Sequence, residues 1–210
     1  MIYNILKQRR SLPSEYGYDL YRFVLPFRFI MLFATACAIG IFMSSTTGDG
    51  IQEFNRINDY FSSFSPISIP HFFQNVLCSS IFDIVLLSIS YIAALTFFCP
   101  AVLHIVCVFS GITYGICIGK IVSLNLLEIK YALPYVLFVS AFAFLYIKTA
   151  TELANINHSC LHKTRLKEES GLIYVTEEIK RFLSVILKST LVYYFIRLLY
   201  CLSLTVINTK

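Results

Sequence analysis

Charged side chains are scarce in this chain. Asp, Glu, Lys and Arg make up 14% of its 210 residues, where a soluble domain usually keeps about 25%. That shortage excludes an ordinary water-facing surface. With 57% of positions apolar and a mean hydropathy of +0.72, the apolar side chains must face lipid or one another. Also lacking are the usual signatures of catalysis: a Gly-rich phosphate cradle, a Walker sequence, a nucleophile elbow or a zinc-protease histidine pair. The expectation is therefore a protein that is not an enzyme and that needs no metal and no cofactor. Acidic groups at mid-depth on several helices, which a proton or ion relay requires, are missing as well. The seven cysteines are odd in number and scattered, mostly in apolar segments where a thiol behaves as a small hydrophobe, so no disulfide framework is indicated. One domain is expected at this length.

What is there in quantity is long apolar runs. Crossing about 30 Å of hydrocarbon takes on the order of 20 apolar residues in a helix, and five segments approach that length. Phe23 to Met43 carries only Arg28, Phe82 to Phe98 only Asp83, and Ala101 to Val122 only Lys120; Tyr131 to Ile147 is uncharged, and Phe182 to Val206 carries Lys188 and Arg197. The expected fold class is thus all-α, a polytopic membrane bundle of about five transmembrane helices with one added external amphipathic helix. Ala34-Thr35-Ala36 has the look of a signal-peptide cleavage site, but about twenty residues precede the run and Arg28 lies inside its start, so a retained first crossing is the expectation. Cys99-Pro100 separates the second and third runs by almost nothing. Since proline removes a backbone donor and disfavours helix at the residue before it, Pro100 is expected in a tight hairpin turn; segments that re-enter without crossing are the alternative.

Net charge is +5, and its placement is a topology signal rather than a nucleic-acid footprint. Ten Lys and Arg residues flank the runs on one side: Lys7, Arg9, Arg10, Arg22, Lys148, Lys163, Arg165, Lys167, Lys180 and Arg181. The other side receives four, Arg56, Lys120, Lys130 and Lys210. The positive-inside bias then predicts a cytoplasmic amino terminus (residues 1–22), an external loop over 44–71, a cytoplasmic linker over 148–181 and an external carboxyl terminus at the cell membrane. Within the external loop Ile51, Phe54, Ile57, Tyr60, Phe61 and Phe64 recur at helical spacing opposite Asp49, Glu53, Arg56 and Asp59, the pattern of a helix lying on the membrane face. Ser65-Pro66 and Ile69-Pro70 are expected to end it. Glu177, Glu178, Lys180 and Arg181 read as a solvated helix leading into the last crossing.

Few residues stand out as candidates for a role. Gly111, Gly115 and Gly119 fall on one face of the third crossing, where missing side chains let a neighbouring backbone approach closely; helix packing is the expected use. Asp83 and Arg197 could form an interhelical ion pair. With Asp83 placed near the external end of its run, snorkelling of both groups to the headgroups is the simpler expectation, and Lys188 is expected to snorkel on the cytoplasmic side. His158, Cys160 and His162 contain metal-ligand types, but only the two histidines share a helical face and no fourth ligand with recognisable spacing is near, so an ordinary cytoplasmic segment is expected. His104 reads as a hydrogen-bonded core histidine.

The order of crossing (IVLLSISYIAAL), proline-containing turn (TFFCPAV), glycine-stepped crossing (SGITYGICIGKIV) and proline crossing (ALPYVLF) resembles the stage II sporulation protein M family of bacterial membrane proteins. The first crossing followed by GIFMSS and an amphipathic segment is similar to the family's opening. This chain departs from the family in having Ser110 where a lysine often precedes the first stepped glycine, and Cys99 where glycine often precedes the hairpin proline. The resemblance implies a non-enzymatic scaffold that organises peptidoglycan hydrolases at the septal, engulfing membrane during sporulation. The partners it implies are the lipid bilayer and membrane-anchored or external cell-wall hydrolases, with homo-oligomerisation open and no nucleic acid. Other relatives of that kind stand beside transport ATPases, so a permease subunit working with a separate ATPase is the alternative.

Overall fold

The computed structural model describes residues 24–44, 69–123, 129–166 and 171–208. They form five α-helices, α1 (Val24–Ser44), α2 (Ile69–Ala93), α3 (Cys99–Ser123), α4 (Ile129–Leu166) and α5 (Gly171–Asn208), and no strand occurs among them. All five are long and apolar enough to cross a membrane. The 25 residues of α2 and of α3 extend roughly 37 Å and the 38 residues of α4 and α5 roughly 57 Å, against a hydrocarbon core of about 30 Å.

Three boundaries differ from those expected. Helix α2 begins at Ile69, well before Phe82, and takes in Ile69-Pro70 instead of being broken there, because proline in a first turn forgoes only a donor that would have no helical acceptor. Pro100 follows the same rule. The turn between α2 and α3 is Ala94–Phe98, and Pro100 sits in the first turn of α3 rather than in the turn itself. Residues 148–166 continue α4 and 171–181 belong to α5. The amphipathic segment expected between Ser44 and Ile69, and the amino-terminal segment before Val24, lie outside the described residues.

In lipid, burying a leucine gains little, so helix association rests on close van der Waals contact and on polar bonds between helices. Both are present. α4 and α5 pack most extensively against each other, and their seam is lined by aromatic residues, with Phe138 stacked on Tyr200 at 4.8 Å and Phe142 edge-on to Tyr193 at 6.0 Å. Tyr131 at one end of the seam donates to Asn208 Oδ1 at 2.8 Å. α1 and α3 meet by their small residues. A Cβ added to Gly111 would stand 2.8 Å from Ala36 Cβ and 2.9 Å from the Phe33 carbonyl; one on Gly115 would run into the Cys37 backbone, and one on Gly119 into the Ser44 side chain. Gly40 on α1 completes the crossing, for a Cβ there would lie 3.0 Å from Gly115 Cα. Outward faces are apolar: Phe27, Ile30, Leu77, Ile81, Phe144, Leu187 and Phe195 are among the exposed side chains.

Candidate functional site: a buried ion pair between four helices

Two of the side chains that this bundle buries, Asp83 and Arg197, are charged, and they stand together. On α2, Ser79 and Asp83 are one helical turn apart and face inward together; on α5, Tyr193 and Arg197 have the same spacing. Asp83 is 3% exposed and Arg197 4%. Arg197 Nη1 lies 3.9 Å from Asp83 Oδ2. Tyr193 donates its hydroxyl to Asp83 Oδ2 at 2.8 Å, and Tyr114 from α3 donates to Oδ1. The guanidinium also donates to α2 itself, from Nε to Ser79 Oγ at 3.2 Å and from Nη2 to the Ser79 carbonyl at 2.7 Å.

α4 supplies the walls. The Arg197 guanidinium carbon stands 4.7 Å from the Phe138 ring centroid and 5.4 Å from that of Tyr200, where the ring quadrupole attracts a cation. Phe142 packs 5.2 Å from the Tyr114 ring. One carboxylate thus gathers two phenols and a guanidinium, and the guanidinium is held by a serine and two aromatic faces. α2, α3, α4 and α5 all contribute. A charge in such a place is tolerated only when paired and hydrogen-bonded.

This corrects the expected depth of Asp83. Because α2 starts at Ile69, Asp83 lies near the middle of the helix instead of at its external end, and the pair replaces snorkelling for both groups. Arg28 and Lys188 are exposed on the helix surfaces. His104 is half-buried, with Nδ1 paired to the Pro100 carbonyl and its ring 4.8 Å from Phe29. His158 and Cys160 are exposed on α4. The cysteines form no disulfide with one another; Cys99, Cys107 and Cys201 are fully buried, and Cys107 Sγ reaches the Phe29 carbonyl at 3.5 Å.

The chain matches no family model, no curated protein and no solved structure. Its chemistry is therefore read from the cluster itself, and a closed set of mutually satisfied charges binds helices together.

Sequence reading missed Tyr114, Tyr193, Ser79, Phe138 and Tyr200 as members of this cluster, and Gly40 as the α1 side of the glycine crossing. A signal for part of it exists: in an apolar crossing, a polar residue one turn from a charge shares its face, which singles out Ser79 with Asp83 and Tyr193 with Arg197. A second polar contact has no comparable signal. Asn157, buried on α4, donates from Nδ2 to the carbonyls of Ala94 at 2.9 Å and Thr96 at 2.8 Å, fastening the α2–α3 turn to α4.

Proposed function

We propose that this chain is a non-catalytic membrane scaffold, a five-crossing bundle with a cytoplasmic amino terminus and an external carboxyl terminus that holds partner proteins at the membrane. The observation that carries this reading is the closure of the Asp83–Arg197 cluster. A translocation or relay site must leave a charged face for its substrate, whereas here the carboxylate is engaged by Tyr114, Tyr193 and Arg197, and the guanidinium by Ser79, Phe138 and Tyr200. Such a lock favours a stiff platform over a moving pore.

The sequence resemblance to stage II sporulation protein M extends the proposal to the cargo: cell-wall hydrolases or their anchors, gathered at the septal, engulfing membrane through the external loops and carboxyl end. Crosslinking and affinity capture from the native membrane test it. Recovery of wall hydrolases or their anchors is expected. A permease subunit is the second reading, favoured by the length of α4 and α5 beyond a bilayer's thickness; recovery of an ATPase crosslinked to the segment Leu153–Arg181, without hydrolases, would replace the first reading with it. Tags at the two ends test the orientation, and both being reachable from the cell interior would overturn it.

A further inference from the structure

The turn Ala94–Phe98 has the wrong composition for a loop in water. From Ile84 to Gly119 the chain carries no Asp, Glu, Lys or Arg, and the turn's own side chains are its most exposed: Leu95 at 72%, Phe97 at 80% and Phe98 at 75%. Outward-facing apolar stripes on both helices run into it. On α2 the stripe is Ile81, Val85, Ile89 and Ile92, which Leu95 prolongs; on α3 it begins at Phe98 and continues through Ile105 and Phe109. Ring contact between Phe82 and Phe109, with centroids 6.0 Å apart, joins the two helices at the surface.

Most of the backbone of the turn is bonded within the chain, as a place poor in water favours, while the N–H groups of Phe97 and Phe98 stand outside those bonds on the headgroup side. Leu95 N–H donates to the Ile92 carbonyl at 3.1 Å, Thr96 N–H to Ala93 at 2.9 Å and Cys99 N–H to Thr96 at 3.3 Å. The Thr96 hydroxyl adds a bond to the Ala93 carbonyl at 2.8 Å, and Asn157 covers the carbonyls of Ala94 and Thr96. The depth is bounded by one lysine. Lys148 is exposed on α4 roughly 13 Å before Asn157, at about 1.5 Å per residue. It reaches the headgroups by snorkelling, which sets the turn at the headgroup side of the hydrocarbon and not at its centre.

We propose that the α2–α3 turn is an interfacial anchor whose partner is the bilayer itself: Leu95, Phe97 and Phe98 sit in the boundary between headgroups and acyl chains of one leaflet. The turn is thereby a fixed float on the membrane surface that sets the height of the bundle, while α4 and α5 carry the chain past it into water. This rests on the membrane-crossing reading of the helices, and the experiment separates the two. The chain contains no tryptophan, so single reporters Phe97→Trp and Phe109→Trp are made in the full-length protein. Each is reconstituted in phosphatidylcholine–phosphatidylglycerol vesicles, with acyl chains brominated near the headgroup or near the chain end. Trp at 97 is expected to be quenched several-fold more by the shallow bromines than by the deep ones, and to be protected from aqueous iodide. Iodide quenching of Trp at 97 as strong as that of a free tryptophan amide overturns the anchor. Shielding from both bromine and iodide does so too, by placing protein over the turn. If Trp at 109 also escapes brominated lipid, the crossing itself fails along with the anchor.

Discussion

Asparagine at position 83 should damage this protein more than methionine at position 197, although both changes break the same pair. Asp83→Asn keeps the shape of the side chain and removes its charge, leaving a guanidinium that is 4% exposed without its counter-ion. Arginine cannot shed its proton in a protein. Ser79 and the rings of Phe138 and Tyr200 remain, but these contacts are already made in the native protein and offset nothing, and stranding one member of a buried pair costs about 3–5 kcal/mol. The net loss expected for Asp83→Asn is about 3 kcal/mol, roughly two orders of magnitude in the folding equilibrium. Arg197→Met strands a carboxyl group instead. That group still accepts from Tyr114 and Tyr193 and can be neutralised by a proton, so its loss should be smaller, about 1–2 kcal/mol. The double variant restores neutrality and should regain part of what Asp83→Asn loses. Reversible unfolding in mixed micelles, followed by far-ultraviolet circular dichroism, supplies the three free energies of the cycle. Equal small losses that simply add in the double variant would refute the pairing as a stabilising element.

Other consequences of the packing can be measured in the same preparation. Gly115→Leu forces a side chain into the Cys37 backbone and should detach α1, read as loss of a disulfide crosslink engineered across the α1–α3 seam; retention of the crosslink and of full accumulation would contradict the close crossing. Asn157→Leu removes both bonds to the α2–α3 turn, and amide hydrogen exchange at Leu95 and Thr96 should quicken about thirtyfold if each of the two lost bonds is worth about 1 kcal/mol. Tyr193→Phe should cost about 1 kcal/mol in an otherwise native protein and markedly less when Asp83 is already asparagine; independence of the two substitutions would separate the phenol from the carboxylate.

The helices were largely legible because a nearly uncharged apolar run of crossing length is itself a strong signal of a long helix. α3 agrees with its expected run to within about two residues, since the Cys99-Pro100 break opens it and Lys120 stands in its last turn. α2 is longer than its expected run because that run counts only from Phe82 and Ile69-Pro70 reads as a break, although nothing in a first helical turn excludes proline. That error carried Asp83 to the wrong depth and made snorkelling look simpler than pairing. Glycine spacing pointed to one face of α3, but not to its partner: the matching step on α1 contains one glycine, Gly40, and so lacks the all-glycine signal. The aromatic walls of the ion pair were illegible for a different reason. With 16% aromatic residues, Phe138 and Tyr200 differ from the rest only in what stands beside them after folding.

The seam between α1 and α3 has a repeat on both sides. Ala36, Gly40 and Ser44 succeed one another every four residues on α1, as Gly111, Gly115 and Gly119 do on α3. Sterically, then, α1 shifted by one such step would still meet a small residue opposite, and the seam alone has no preferred notch. The choice of notch falls to its inner end, where the Phe29 carbonyl meets the Cys107 thiol and the Phe29 ring lies against His104. Two bulky contacts decide where a smooth track comes to rest.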